Sequence, residues 1–307
     1  MIIEYCRSKT LNFGDDLNPW LWPQLMGEDI FKNEDGVYFV GIGTVLTKKR
    51  LNIQLADAKE IVIFSSGAWG ENTPILSDKC KVYGVRGPRT AKKLGLSENL
   101  AIGDGAYLLR NIPLAPVEKQ FDIGFIPHHG SEQYIDWQVV CDQLGIKFIS
   151  AKQPVEAFLL QLRSCRKIVT EAMHGAITAD AMRIPWIPVK FSPLFSEEKW
   201  YDFAECMEIE LKFQVLTFIS QNKMKLPKLI EIGAKKLLSK LLGIKPKWSE
   251  LIFTPFPADS ERSAKLVDEL KAIIATPEAY LSTDKKVDEI TNRQNDILMK
   301  IVEDYKS

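Results

Sequence analysis

Only three of the 307 residues are histidine, five are cysteine, and neither sign of charge predominates, with 40 Lys+Arg against 40 Asp+Glu. Zero net charge removes any global attraction to a polyanion, so nucleic acid is not an expected partner and any basic surface must be local. Cys6, Cys80, Cys141, Cys165 and Cys206 are scattered, odd in number and free of CxxC or zinc spacing. They read as reduced thiols of a cytoplasmic protein. The three histidines form no metal motif, so no metal is expected. No apolar run reaches the roughly 18 residues of a spanning helix. The opening MIIEYCRSKT lacks the apolar core and small-residue cleavage site of a signal peptide. What is present, 46% hydrophobic and 26% charged residues, is an ordinary globular composition able to bury a sizeable core.

Short apolar runs alternate with helical patterns over the first two-thirds. Strands are expected at 2–5, 37–40, 61–65, 81–85, 122–127, 147–149, 168–170 and 186–189, an alternation that predicts α/β units with parallel sheets. A seam with two prolines falls at 111–118. The expected organisation is a Rossmann-like domain over 1–115, a second over 116–215, and a basic amphipathic segment with C-terminal helices over 216–307. Two such domains facing one another would place a site in the cleft between them, at the carboxyl ends of the strands. The stretch 223–247 holds eight lysines and one acid, Glu231, around an apolar face. That pattern suits either peripheral contact with an anionic membrane or a solvated helix packed on the second domain. Two tail helices are expected, one starting near Ser260 with Leu266, Leu270 and Ile273 on one face, the other striped by Val287, Ile290, Ile297, Ile301 and Tyr305.

Four stretches could carry chemistry. In TEAMHGAITAD (170–180) a strand gives way to a helix, whose free backbone N–H groups and dipole favour an anion. His174 there can bind an anion or supply a proton, and Glu171 is close enough in sequence to orient it. In KVYGVRGPRTAKKLG (81–95), Arg86 ends a strand and Arg89 falls in a first helical turn, where a cation opposes the dipole. Each invites a carboxylate or phosphate partner, with a salt bridge to a nearby acid the rival, more serious for Arg89 than for Arg86. In KTLNFGDDLNPWLWPQL (9–25), Gly14 allows a tight turn and one of Asp15 and Asp16 can cap the following helix, leaving the other to hold or deprotonate a hydroxyl. IPHHGSEQ (126–133) carries His128 and His129, of which one should face a ligand. Gly103-Asp104-Gly105 reads as a tight structural turn. Trp20, Trp22, Trp69 and Trp137 hint at sugar stacking, with core packing the commoner role.

Taken in order, NFGDDLNPWLW, VRGPRTA, GDGAYLL, IPHHGSE and EAMHGAITADAMRIPWIPV resemble the polysaccharide pyruvyl transferase family, in its exopolysaccharide ketal-forming branch, between Asn12 and about Val189. The resemblance implies an α/β fold of two Rossmann-like domains similar to glycosyltransferase B. It implies transfer of the carboxyvinyl group of phosphoenolpyruvate to a saccharide acceptor, lipid-linked in many such pathways, with a pyruvate ketal as product and no cofactor. In many members the helix-start motif reads Arg-Leu-His-Gly; here it is Ala172, Met173, His174 and Gly175. Arg86 matches the family's Val-Arg motif, and Arg86, Arg89, His128 or His129 could replace the missing arginine. The resemblance makes His174 and Glu171 donor-side residues and Asp15 or Asp16 the acceptor-side carboxylate. Two rivals share these features: a nucleotide-sugar glycosyltransferase, using Glu197 or Glu198 for a ribose, and a non-catalytic sugar-binding protein.

Overall fold

A computed structural model describes residues 1–32, 36–70, 72–193, 195–220 and 260–306. Among them the apolar runs form nine strands in two sheets. The first has the order β1 (Ile2–Glu4), β2 (Val37–Val40), β3 (Glu60–Ser66), β4 (Cys80–Val85). The second contains β5 (Phe121–Ile126), β6 (Lys147–Phe148), β7 (Cys165–Thr170), β8 (Trp186–Lys190) and β9 (Gln214–Val215), in the order β6-β5-β7-β8-β9. All pairings between these strands are parallel. Parallel neighbours need crossovers. Helix α1 (Phe13–Met26) joins β1 to β2, and α2 (Pro88–Lys93) follows β4 with its proline at the first helical turn. The second sheet is threaded by α3 (Trp137–Leu144), α4 (Val155–Arg163), α5 (Met173–Ala181) and α6 (Glu197–Cys206). Two tail helices follow, α7 (Ser260–Ala275) and α8 (Asp284–Tyr305).

All eight expected strands are present. The ninth, β9, was not foreseen, because both its residues are exposed and leave no apolar signature. Residues 112–120 between the sheets are irregular, as two prolines there predict. The lysine-rich stretch 223–247 lies outside the described residues. No described helix is long and apolar enough to cross a membrane.

The largest core cluster spans both halves of the chain. Phe13 of α1 stacks on Phe158 of α4 with ring centroids 3.7 Å apart, and the Phe13 N–H donates to Ala151 O at 2.9 Å. Helix α1 is pinned at its other side by Asn18, which is fully buried. Its amide donates to Asp15 O and Ile42 O at 3.0 Å each and accepts from Ile42 N and Trp22 Nε1. All four bonding sites of that side chain are used, so its burial carries no desolvation debt. The result fixes the first turn of α1 against the exit of β2.

The tail helices go to opposite halves. Leu266, Leu270 and Ile273 of α7 pack with Phe125, Trp137 and Val189 of the second sheet. Helix α8 returns to the first half: Gln294 Nε2 donates to Ile102 O and Asp104 O at 3.0 Å each, and Tyr83 donates to Asp304 at 2.6 Å.

Candidate active site

The carboxyl ends of six strands converge on one cleft of about 410 Å³. Cys6 follows β1, Gly43 and Thr44 follow β2, and Trp69 follows β3. His128 and His129 follow β5, Glu171 to Gly175 follow β7, and Ser192 follows β8. Parallel sheets present their loops and helix N-termini at that edge, which is why ligands of such folds collect there. The first turns of α1 and α6 close the sides with Asp15 and with Lys199 and Trp200.

His174 sits in the first turn of α5 with 16% of its side chain exposed. Its Nε2 is fully buried and lies 3.6 Å from Asp104 Oδ2. Its Nδ1 is pressed against Gly14, where an added Cβ would fall 2.0 Å from that atom. Nδ1 is therefore the ring nitrogen left to meet a ligand. Gly14 lies inside the first turn of α1, not in a tight turn before it, and what the position requires is the lack of a side chain beside the imidazole. Asp104 is completely buried in the turn expected to be structural. Burial pushes its carboxyl up, but His174, Arg86 and the Ala106 N–H more than offset this and hold it below the usual value. The carboxylate behind the imidazole is thus Asp104. Glu171, the sequence-based candidate, spends its oxygens on the backbone N–H groups of His128 (3.1 Å) and Ser192 (2.7 Å), tying two strand-end loops together. Its burial raises its pKa against those bonds.

Asp15 and Asp16 divide their work. Asp16 accepts from Asn12 N at 2.8 Å, securing the start of α1. Asp15 lines the cleft and is held by Asn12 Nδ2 at 2.6 Å. Burial raises the Asp15 pKa, with Asp16 reinforcing and His174 and Asn12 opposing the rise. Met173 and Gly175 also line the cleft. The His128 and His129 rings lie 4.2 Å apart, tilted by 43°; desolvation by burial, together with Lys199 and Lys152, lowers the pKa of both, and His129 further lowers that of His128. Both imidazoles are therefore neutral at pH 7, suited to hydrogen bonding and not to neutralising an anion.

The two arginines lie elsewhere. Arg86 is fully buried: Nε donates to Asp202 at 2.9 Å and Nη1 to Thr44 Oγ1 at 2.8 Å. Asp202 also takes the Thr90 N–H and hydroxyl. The salt-bridge rival holds for both arginines, including Arg86, where it was the less expected, and the Arg86 bridge crosses from the end of β4 to α6. Arg89 pairs with Glu205 at 2.5 Å over the Tyr201 ring, outside the cleft. Trp22 and Trp137 are core residues; Trp69 lines the cleft and is 46% exposed. Asp104 and Lys199 were not foreseen as site residues. Asp104 reads as one residue of a Gly-rich turn, and Lys199 reads as one charge in an acid-rich helix start. Among the described residues no three of His, Cys, Asp and Glu gather as a metal site.

Residues 53–193 match the family model described as polysaccharide pyruvyl transferase. The chain is also 33% identical over 210 residues to the succinoglycan biosynthesis protein ExoV of Rhizobium meliloti (strain 1021), covering 67% of this chain and 64% of that protein. The chain belongs to the polysaccharide pyruvyl transferase family. It spans somewhat less than two thirds of the length of that curated relative. The family-matched stretch runs from the approach to β3 past the end of β8. It supplies His128, His129, Glu171 and His174 to the cleft wall and Asp104 behind His174, while Asp15 and Lys199 come from outside it.

Proposed function

We propose that the chain moves the carboxyvinyl group of phosphoenolpyruvate to a saccharide of a cell-surface polysaccharide or its precursor, closing it to a cyclic pyruvate ketal and releasing phosphate. The observation that carries this reading is the His174–Asp104 pair set at a helix start, opening onto a cleft that also holds the Asp15 carboxylate. Family membership and the succinoglycan role in the relative's name support it. The donor carries the transferred group, so the scheme needs no cofactor.

The chemistry divides between the two walls. A proton must reach the methylene carbon of the donor, making C2 electrophilic; His174 Nδ1 is the group for this, with Asp104 fixing the ring from behind. An acceptor hydroxyl then attacks C2, phosphate leaves, and a second hydroxyl closes the ketal. Two hydroxyl protons are released: one replaces the proton given to the methylene carbon, the other departs with phosphate. Asp15, whose raised pKa makes it a better base than an ordinary aspartate, is placed to take the first. Trp69, exposed at the cleft, offers an aromatic surface to a sugar ring, backed by the stacked pair Phe195 and Trp200 in the wall.

In this reading, 1–115 and 116–215 are the two domains of a glycosyltransferase B-like arrangement, working on the cytoplasmic side of the membrane. The lysine-rich stretch 223–247 would bring the protein to an anionic, lipid-linked acceptor. Against the nucleotide-sugar alternative, Glu197 and Glu198, the two acids offered for a ribose, are engaged by Lys190 and Lys93 at 2.6 Å each.

The test is calorimetric titration with phosphoenolpyruvate and with a panel of nucleotide sugars, followed by phosphate release with saccharide acceptors. Phosphoenolpyruvate binding that is lost in His174→Ala is the expected result. Binding of a nucleotide sugar with none of phosphoenolpyruvate would replace this reading by glycosyl transfer.

A further inference from the structure

Helix α6 carries four acids, and each already has a cation or a donor. Glu197 pairs with Lys190, Glu198 with Lys93, Asp202 with Arg86 and Thr90, and Glu205 with Arg89. The one lysine of that helix, Lys199, has no ion pair or hydrogen bond among the described residues. Its ammonium lies 4.6 Å from the centroid of the Trp69 ring and lines the cleft that contains His174 and Asp15.

Three features make this an unfavourable place for a bare cation. Lys199 falls in the first turn of its helix, where the dipole opposes positive charge. It is desolvated by the cleft wall, and the Arg86 guanidinium repels it. Asp15 attracts it from across the cleft without reaching ion-pair distance. A second cationic group points the same way. Arg86 Nη2 is buried and has no partner among the described residues, while Nη1 of the same guanidinium holds Thr44, which lines the cleft. Lys199 on the cleft wall without an acid, and the Arg86 guanidinium buried behind Thr44, beside the neutral His128 and His129, define an electrostatic need that an anion meets.

We propose that Lys199 is the binding residue for a phosphate-monoester group of the donor, with the guanidinium of Arg86 reinforcing it from behind. A compact ammonium with three donors suits the oxygens of a phosphate, whereas a planar fork suits a carboxylate. This deepens the pyruvyl transfer reading and rests on it for the donor's identity, but not for the class of anion.

The experiment uses the full chain and two variants, Lys199→Met, which keeps the apolar stem against Trp69, and Lys199→Arg, which keeps the charge. Each is titrated with phosphoenolpyruvate, inorganic phosphate and pyruvate, and each melting temperature is read with and without phosphate. Loss of one charge-assisted contact should weaken phosphoenolpyruvate and phosphate by about 10- to 100-fold in Lys199→Met, with pyruvate unchanged and Lys199→Arg largely restored. Phosphate should raise the melting temperature of the parent but not of Lys199→Met. Unchanged phosphate and phosphoenolpyruvate affinities in Lys199→Met overturn the proposal while leaving the donor reading intact. Weakened pyruvate with unchanged phosphate overturns it in favour of a carboxylate site. If the parent binds phosphate through Lys199 but not phosphoenolpyruvate, the phosphate site stands and the donor reading falls. A parent that binds none of these anions overturns the proposal.

Discussion

His174 stands between two groups that constrain it differently. Gly14 limits it by contact, and Asp104 by charge. Gly14→Ala should drive the imidazole from its place and cut turnover by about 10²-fold, the usual cost of a misplacement near 1 Å, while the circular dichroism of the fold is retained. Asp104→Asn keeps an acceptor for the Ala106 N–H but loses the charge; kcat should fall at least tenfold with KM little changed. The sign of the pH effect on stability also differs between the two aspartates. Asp104 has a depressed pKa, so its contribution is full above the ordinary carboxylate value near 3.9 and is lost as pH falls through the folded value. Asp15 has a raised pKa, so the native state holds its proton longer and stability falls as pH rises through that window. Asp15→Asn should therefore melt higher than the parent at pH 7, show no such gain near pH 3, and be slower in transfer. His174 and Asp15 were legible from the sequence because a rare residue type and a doubled carboxylate sat at strand-to-helix junctions. Asp104 was not, because its proximity to His174 joins residues seventy positions apart.

At the scale of elements, the apolar runs announced their strands because both faces of these parallel sheets are covered, leaving continuous rather than alternating patterns. Element boundaries fared less well where tertiary contacts decide them. Helix α5 begins at Met173, directly after Ala172, so that His174 already lies inside its first turn. The stripe expected on α8 omitted Gln294, a fully buried polar residue that holds the carbonyls of Ile102 and Asp104. Gln294→Ala should lower stability by about 1–3 kcal/mol, the cost of leaving buried carbonyls unpaired, and should also reduce turnover although the residue does not line the cleft. The Arg86–Asp202 pair joins β4 to α6, and Arg86→Met should cost about 3–5 kcal/mol by leaving a buried carboxylate without its cation; chemical denaturation reads this directly. Salt-sensitive association with anionic vesicles, lost when Lys235, Lys236 and Lys240 become glutamate, is the expectation for 223–247 from its sequence.

Over the whole molecule, sequence periodicity revealed two α/β blocks and two tail helices, but not where the tail helices go. Apolar stripes specify that a helix is buried, not against what. The two tail helices have similar stripes and opposite destinations, α7 on the second sheet and α8 on the first half. The same long-range logic builds the cleft: α1 of the first half rests on α4 of the second through Phe13 and Phe158, and α6 of the second is held at β4 by Arg86. Phe13 and Phe158 themselves line the cleft, and Arg86 holds the lining residue Thr44.

The return of α8 also orders events in time. The segment from Ile102 to Leu109 is wholly buried in the finished protein, and it takes part of its cover from Ile290 and Gln294 of α8. On the ribosome those partners emerge some 180 residues later, roughly 10 to 40 seconds at ordinary elongation rates. During that interval the first half carries a sticky, incompletely packed apolar surface. Nascent chains arrested before Val287 should therefore be captured by chaperones and cut by protease within 102–109, and release of the segment through Tyr305 should abolish both.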